Sequence, residues 1–306
     1  MRRFVAWLGP DFGLVVGFLS VLTVLVCAYG GSFRWKEGPI LISAGIGAGI
    51  VLVRWIWQRR RLGDLVRDVI AEWGPFIAIM WLFQNLELFT GIVRTTSIDA
   101  QLYAADVALF GGEPSVWLSH HQTPLLTDYM ALAYGLYFIT PMILATMLSL
   151  RGRRHDFRVM STAVILQLGV GFLLFLIFPA GPPRYYPLPF DPPQLHSYFG
   201  LFELQQGAFD SADPLRMRSA FPSLHCSLAL ITLYCSLRYS DAVFPRHPRL
   251  WGRIVIVEVV SLWLSVVYLR HHWFVDIFAG LALGAFSLWL TPRLRAWWPA
   301  RLSVDH

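Results

Sequence analysis

The sequence is poor in charged residues and has almost no lysine. Only 14% of its 306 residues are charged, 56% are hydrophobic, and Lys36 is the one lysine among 25 basic residues. This composition argues against a soluble helical protein, because such helices would expose apolar side chains to water on every face. Several stretches of about 20 mostly apolar residues instead have the length that an α-helix needs to cross a bilayer.

Cysteine is also scarce, and no metal-binding pattern is present in the sequence. Cys27, Cys226 and Cys235 all lie within apolar stretches, and we interpret them as small core residues. The sequence lacks HExxH and any other tight spacing of metal ligands. We therefore expect no metal and no other cofactor. The net charge of +6 comes mostly from arginines in loops, so we expect no nucleic-acid partner.

The apolar stretches predict an all-α fold, a polytopic membrane bundle of about eight transmembrane helices. Backbone polar groups inside a bilayer must be satisfied internally, so each stretch is predicted to be helical. The first stretch resembles a signal peptide, but Asp11 interrupts it and a second span follows soon after, so we expect an uncleaved helix. The predicted spans lie near residues 12–30, 39–57, 69–90, 124–150, 158–179, 221–238, 252–270 and 273–292.

The distribution of basic residues predicts the orientation of the bundle. With eight spans, most of the 25 basic residues fall on the side that holds both termini. The positive-inside rule makes that side cytoplasmic. Loops 92–123 and 180–220 and the turn at Arg270 are then extracytoplasmic. The first loop has a helical apolar period that predicts an interfacial helix, and the second begins with a stiff proline-rich segment.

Polar residues gather where three of these spans reach the outer side. In "YLRHHWFVD" (268–276), His272 and Asp276 are spaced i,i+4 and are expected to share a helix face. The carboxylate would then fix the tautomer of the ring and leave the other nitrogen as a base or nucleophile. A polar pair that caps a helix at the headgroup layer is the structural alternative. His271 is expected to point away, and Arg270 to contact lipid headgroups.

The second stretch is "MRSAFPSLHCS" (217–227). Pro222 suits the first turn of a helix, and Ser219 is a plausible N-cap. The free N–H groups of that turn, with the hydroxyl of Ser223, would bind an anion such as phosphate. His225 stands one turn further in, where it could donate a proton to a leaving oxygen. The alternative for His225 is an ordinary core histidine.

The third stretch is "FPAGPPRYYP" (178–187), which places Arg184 among prolines and tyrosines. An arginine fork matches two phosphate oxygens at once. Anchoring to lipid headgroups is the alternative reading. Arg216 and Arg218 compete for the role of a second phosphate ligand, and we favour Arg218 because it is closer to the predicted helix start.

Together these stretches resemble the type 2 phosphatidic acid phosphatase superfamily, and within it most closely the inositol phosphorylceramide synthase branch. "FPSLH" (221–225) is similar to the second motif of that branch, "YLRHHWFVD" to the third and "PAGPPRYYP" (179–187) to the first. The resemblance implies a six-helix catalytic core. We place this core at residues 65–292, after an extra pair of helices in 1–64 and before a cytoplasmic tail at 293–306.

The resemblance also implies a mechanism without metal. His272 would attack phosphorus and form a phosphohistidine, and Asp276 would orient it. His225 would protonate the leaving group and then deprotonate the acceptor. The phosphoryl oxygens would be held by Arg184, by Ser223 with the first-turn amides, and by Arg218.

Three positions depart from the broader phosphatase pattern. Ile177, Leu224 and Val266 stand where that pattern has lysine, glycine and arginine. Two phosphate-binding cations are therefore missing, which argues against ordinary phosphatidic acid phosphatase activity. The synthase branch tends to share these losses.

We therefore predict an enzyme that cleaves a phosphoester on a membrane lipid phosphate at the extracytoplasmic face and passes the headgroup to an alcohol acceptor. With water as acceptor the same residues would make a lipid phosphate phosphatase, and the sequence does not separate the two. The arginine-rich composition indicates a bacterial protein, so we expect the inner membrane, with the active site facing the periplasm or exterior. The sequence leaves the oligomeric state undetermined.

Two further classes stay open on the sequence alone. One is a metal enzyme that uses His225, His271, His272 and Asp276. The other is a non-catalytic lipid binder or transporter, because ionisable residues inside a membrane often mark ion paths. The residues that suggest this second class are Glu72, Glu87, Asp128 and Glu258.

Overall fold

The computed structural model describes residues 10–29, 47, 49, 64–84, 93–187, 194–210 and 218–298. Across these residues the fold is all-helical, with single 3₁₀ turns at Pro183–Tyr185 and Ser240–Ala242. This confirms the predicted fold class. Its α-helices, in chain order, are α1 (Pro10–Tyr29), α2 (Asp64–Gln84), α3 (Asp99–Phe110), α4 (Pro114–Ser119), α5 (Pro124–Leu136), α6 (Ile139–Leu150), α7 (Arg154–Ile177), α8 (Leu201–Asp210), α9 (Leu224–Arg238), α10 (Pro248–Tyr268) and α11 (Phe274–Trp297).

Five segments of the described chain are long and apolar enough to cross a membrane. They are α1, α5 together with α6, α7, α10 and α11. Helix α9 is a shorter apolar helix of 15 residues, and α2 corresponds to the predicted span 69–90. The predicted span 39–57 lies, apart from residues 47 and 49, outside the described residues.

The predicted span 124–150 consists of two helices rather than one. Helix α5 ends at Leu136 and α6 begins at Ile139. Pro141 explains the interruption, because proline has no N–H to donate to the carbonyl of Tyr137 and its ring clashes with that carbonyl. The break matters for the site, since it leaves Tyr137 beside the start of α9, with its ring 4.4 Å from the ring of His225.

Helix α9 lies at the centre of the bundle, against α7, α10 and α11. Its contact with α11 is close because α11 carries glycine at the crossing. A Cβ atom on Gly280 would lie 2.3 Å from the carbonyl oxygen of Ser223, and one on Gly284 would lie 2.9 Å from that of Ser227. Small residues at a helix crossing allow such an approach. It brings the first turn of α9 beside the first turn of α11.

Helix α3, in the loop 92–123, supports the start of α11. The buried carboxylate of Asp106 accepts hydrogen bonds from the backbone N–H groups of Phe274, at 2.8 Å, and Val275, at 3.0 Å. These groups belong to the first turn of α11, whose N–H groups have no partner within the helix. A helix is therefore present in the loop where the sequence predicts one, and the side chain of Asp106 faces the protein.

We expect Asp106→Ala to destabilise the fold, because two buried N–H groups at the start of α11 would lose their acceptor. The expected cost is about 1–3 kcal/mol, and Asp106→Asn should cost less because it keeps one acceptor oxygen. Thermal unfolding in detergent micelles measures the effect. Gln101→Ala, an exposed position on the same helix, is the matched control, and equal midpoints for the Asp106→Ala and Gln101→Ala variants would contradict the prediction.

Two of the four intramembrane acids singled out in the sequence have hydrogen-bond partners. Glu72 accepts a hydrogen bond from Ser149 at 2.9 Å and lies 3.4 Å from the Nε atom of Arg154. Asp128 accepts three backbone N–H bonds from residues 198–201. Glu87 lies outside the described residues, and one buried carboxylate oxygen of Glu258 has no hydrogen-bond partner among them. These pairings account for two of the four acids without an ion path.

Candidate active site

Backbone contacts bring the three polar stretches together. The chain after α7 pairs with the chain before α9, because the N–H of Ala220 donates to the carbonyl of Ala180 at 2.8 Å, next to a parallel bridge between Ala180 and Ser219. The fully buried indole of Trp273 then donates to the carbonyl of Gly181 at 3.1 Å. Segments that are far apart in sequence thus meet at one end of α9 and α11.

The two histidines of the predicted chemistry are in direct contact. The Nδ1 atom of His225 lies 3.0 Å from the Nε2 atom of His272. The Nδ1 atom of His272 lies 3.3 Å from a carboxylate oxygen of Asp276, which also accepts the backbone N–H of Trp273 at 3.1 Å. His272 and Asp276 are buried, and His225 is partly exposed.

The contact between His272 and Asp276 is present, but the two residues do not share a helix face as the sequence suggested. Helix α11 begins at Phe274, so His272 precedes the helix. Asp276 sits in the first turn and reaches back to the turn that carries His272. The carboxylate therefore caps its own helix and binds the imidazole with the same oxygen atom.

Tyr134 extends this network, and no sequence motif pointed to it. Its hydroxyl lies 2.8 Å from the Nε2 atom of His225. Its ring packs against the rings of His225, at 4.7 Å, and His271, at 4.3 Å. Tyr134 lies in the last turn of the apolar helix α5, where one more aromatic residue carries no local signal of a role.

The hydrogen bonds have one consistent direction when both histidines are neutral. The oxygen of Asp276 that faces His272 already accepts the N–H of Trp273, so we take it as an acceptor; the Nδ1 atom of His272 then carries the proton and its Nε2 atom holds a lone pair. That lone pair accepts from the Nδ1–H group of His225. The Nε2 atom of His225 then accepts from the hydroxyl of Tyr134. The network thus aims a nucleophilic nitrogen of His272 at the donor nitrogen of His225.

Burial favours the neutral form of the histidines in the turn before α11. Desolvation, with smaller contributions from the charge of Arg184 and from neighbouring histidines, lowers the pKa of both His271 and His272 well below its ordinary value. A neutral imidazole keeps its lone pair, which nucleophilic attack requires. The environment of His272 is therefore suited to a nucleophile.

His271 belongs to the cluster, contrary to the expectation that it points away toward the interface. It is buried, and its Nδ1 atom accepts a hydrogen bond from the Nη2 atom of Arg184 at 2.6 Å. The expectation assumed helical spacing, but residues 269–273 form a turn in which Arg270 has a φ of 58°. Arg270 is itself buried, and burial lowers its pKa, so its predicted exposure to headgroups is wrong.

Arg184 is held at the cluster by the 3₁₀ turn Pro183–Tyr185. Besides its bond to His271, the guanidinium donates from Nη1 to the side-chain oxygen of Gln206 in α8. It also lies over the ring of Tyr185, 5.2 Å from the ring centroid. The arginine is therefore placed beside the histidines, with its polar atoms turned toward them and toward α8.

The other predicted phosphate ligands have different surroundings. Arg218 donates to the backbone carbonyl of Thr95, in the chain before α3, and Arg216 lies outside the described residues. Ser223 is fully buried and is the N-cap of α9, since its hydroxyl oxygen accepts the N–H of Cys226 at 3.3 Å. The predicted N-cap, Ser219, is thus wrong, because the helix begins two residues after Pro222.

The histidine pair of the loop 92–123 lies away from the cluster. His120 and His121 are exposed at the end of α4, and the Nδ1 atom of His121 lies 3.1 Å from the carbonyl oxygen of Trp117. Among the residues that the structure describes, no group of three histidine, cysteine or acidic side chains is arranged to hold a metal ion.

The comparisons with known proteins agree with the motifs. A family model for the PAP2 superfamily matches residues 100–290, which is more than half of the chain and contains all of the cluster. The chain belongs to the PAP2 superfamily. This confirms the type 2 phosphatidic acid phosphatase superfamily that the three stretches predict, and with the apolar helices it makes the chain an integral membrane protein. No solved structure matches the chain.

Two curated relatives come from the predicted branch. The PAP2-superfamily chain is 29% identical over 195 residues to an inositol phosphorylceramide synthase of Candida albicans. This alignment covers 60% of this chain and 39% of that protein. It is 28% identical over 197 residues to the inositol phosphorylceramide synthase catalytic subunit AUR1 of Saccharomyces cerevisiae, covering 60% and 46%. The chain thus spans less than half the length of each relative. Both are fungal, so they give no support to a bacterial membrane.

Proposed function

We propose that this PAP2-superfamily protein is a lipid phosphotransferase that forms a phosphohistidine on His272 and passes a phosphorylated headgroup to an alcohol acceptor, without a metal. The proposal depends above all on the 3.0 Å contact between His225 and His272. It supports the proposal because the nitrogen that would attack and the nitrogen that would donate the proton face each other, so a phosphoryl group that enters between the two rings and separates them would contact both. We further propose that the cluster faces the extracytoplasmic side.

The first step transfers the headgroup to the enzyme. The lone pair on the Nε2 atom of His272 forms the N–P bond. The P–O bond to the lipid alcohol breaks, and its electron pair goes to the alcohol oxygen, which takes a proton from protonated His225. The ring of His272 then carries positive charge, which the carboxylate of Asp276 stabilises at 3.3 Å from the Nδ1 atom.

The second step removes the phosphoryl group from His272. The oxygen of an acceptor alcohol attacks phosphorus, and its proton goes to neutral His225. The N–P bond breaks, and its electron pair returns to the Nε2 atom of His272. Atoms and protons then balance over the two steps. Water in place of the alcohol would give hydrolysis by the same path.

Arg184 is the proposed phosphate ligand. Its guanidinium already lies 2.6 Å from His271, beside the nucleophile, and a fork of N–H donors matches the oxygens of a phosphodiester. In this proposal it turns from Gln206 to the phosphoryl oxygens when a lipid binds. Arg218 and Ser223 are secondary candidates for the same task, supported by their positions in the second motif.

The surroundings of the cluster favour transfer over phosphatidic acid hydrolysis. The three residues that depart from the phosphatase pattern are apolar. Val266 and Leu224 are buried, and Ile177 is half exposed. The carbonyl of Val266 accepts the N–H groups of His271 and His272, at 2.9 Å and 3.0 Å, and so shapes the turn instead of binding phosphate. The names of both curated relatives, inositol phosphorylceramide synthases, also favour a lipid alcohol as acceptor.

The test is turnover by the purified protein across a lipid panel in the presence of EDTA. We expect headgroup transfer from phosphatidylinositol to ceramide or diacylglycerol, and little release of free phosphorylated headgroup without an acceptor. Rapid hydrolysis without acceptor would instead show a phosphatase. Loss of activity in EDTA would contradict the metal-independent mechanism.

We expect Tyr134→Phe to lower kcat about 10- to 100-fold, which corresponds to the loss of one hydrogen bond to a charged group, about 1.5–3 kcal/mol. The hydroxyl can accept from protonated His225 and donate to neutral His225, so it supports both steps. KM for the donor should change little, because the hydroxyl contacts His225. The pH–rate profile should move toward lower pH, because protonated His225 loses an acceptor.

Tyr137→Phe is the matched control for this variant. Tyr137 also packs its ring on His225, at 4.4 Å, so the substitution removes a nearby phenol while keeping the ring contact. An equal fall in kcat for both variants, or an unchanged pH profile for Tyr134→Phe, would contradict the role of the Tyr134 hydroxyl.

A further inference from the structure

We infer that helix α8 recognises the headgroup of the donor lipid, and that Gln205 and Gln206 bind the hydroxyl groups of a polyol attached to the phosphate. The inference rests on the proposed function and names the residues that would select the donor lipid at the same site. It assigns a specificity role to α8, which lies outside the three motifs.

The two glutamines of α8 contact the residues that would hold the phosphate. The side-chain oxygen of Gln206 accepts from the Nη1 atom of Arg184, and that of Gln205 lies 3.4 Å from the Nε2 atom of His271. Arg184 and His271 are themselves 2.6 Å apart. Adjacent residues on a helix point about 100° apart, and here one amide meets Arg184 while the other meets His271.

One carboxylate fixes the position of the start of α8. Asp128 in α5 accepts the backbone N–H groups of Tyr198 and Phe199, both at 2.7 Å, and of Leu201 at 3.2 Å. These groups lie just before and at the start of α8, and Asp128 is buried. Three hydrogen bonds to one ionised acceptor make a strong anchor. The side-chain amides of Gln205 and Gln206 are therefore held beside the cluster by an anchored helix.

The chemistry of the amide selects the ligand. A glutamine side chain offers an acceptor oxygen and two N–H donors, so a pair of them can both donate to and accept from neighbouring hydroxyl groups. A polyol phosphate would place its phosphate on Arg184 and its hydroxyls on the amides. Phosphatidic acid has no group beyond the phosphate for these amides to bind, so the arrangement discriminates between the two donors.

The test compares binding of three lipids with identical acyl chains, phosphatidylinositol, phosphatidylglycerol and phosphatidic acid, to protein in nanodiscs. His272→Gln is the background, because it prevents turnover, and the glutamines are replaced one at a time by methionine, which has similar length and no amide. For each variant we expect the preference for the polyol lipids over phosphatidic acid to fall about 10-fold, the equivalent of one hydrogen bond at about 1–1.5 kcal/mol. The two polyol arms then show whether an inositol ring or a glycerol headgroup fits better.

Leu204→Met is the matched control, since Leu204 is an exposed residue of the same helix, and thermal unfolding confirms that all variants fold. An equal fall in affinity for all three lipids, or an unchanged preference in both glutamine variants, would overturn the inference. Because binding needs no chemistry, these results are independent of turnover. A protein that binds polyol lipids selectively but transfers no headgroup would contradict the proposed function and would still support this inference.

Discussion

Replacing His272 with glutamine is expected to abolish headgroup transfer, with kcat reduced about 10⁴-fold or more, as when a covalent nucleophile is removed. Glutamine keeps a polar side chain in the turn but has no nitrogen lone pair to attack phosphorus. The measurement is transfer of a labelled headgroup from phosphatidylinositol to ceramide by purified protein. Thermal unfolding of the same samples shows whether the fold is intact.

The control for this variant is His120→Gln, at an exposed histidine of the loop 92–123. It changes the same residue type away from the cluster, so activity should be unaffected. Substantial transfer by His272→Gln would contradict the nucleophile assignment. If the protein also kept its physiological function with His272 replaced, a lipid binder or transporter would be the better description.

Replacing His225 with glutamine is expected to lower the rate of transfer from a natural lipid about 10²- to 10⁴-fold, the range for loss of general acid–base catalysis. Both steps slow, because the leaving alcohol loses its proton donor and the acceptor loses its base. A donor with a nitrophenolate leaving group needs no proton, so it separates the two steps. With that donor the first step should recover in His225→Gln and stay absent in His272→Gln.

The recovered first step has a visible consequence in the His225 variant. Nitrophenol should appear in a burst equal to the amount of enzyme, after which the phosphorylated protein accumulates because acceptor deprotonation is slow. Equal loss with the natural and the activated donor would show that His225 only supports the structure. The 3.0 Å contact with His272 would then need another explanation.

The second and third motifs predict the histidine cluster because each holds a key residue at the start of a helix. His225 follows the N-cap of α9, and Asp276 lies in the first turn of α11. Helix starts at one membrane depth meet when their helices pack, and Gly280 allows that packing. The apolar length of each stretch likewise predicted the helical bundle, although α5 and α6 divide at a break that Pro141 explains.

Other parts of the site depend on contacts between distant residues and were not predictable from local patterns. Tyr134 meets His225 across 91 positions of the chain, and Gln206 meets Arg184 across 22. His271 was misplaced because helical spacing was applied to a turn. Arg218 contacts Thr95, 123 positions away. The closeness of Arg218 to the start of α9 in the sequence did not predict this contact.

The most direct test of the account is to quench the protein under alkaline conditions during turnover and locate the phosphoryl group by mass spectrometry. We predict a phosphorylated imidazole at His272 that disappears when the acceptor alcohol is added and does not form in His272→Gln. A phosphoryl group on any other side chain, or transfer that proceeds with no phosphorylated protein at any time, would contradict the account.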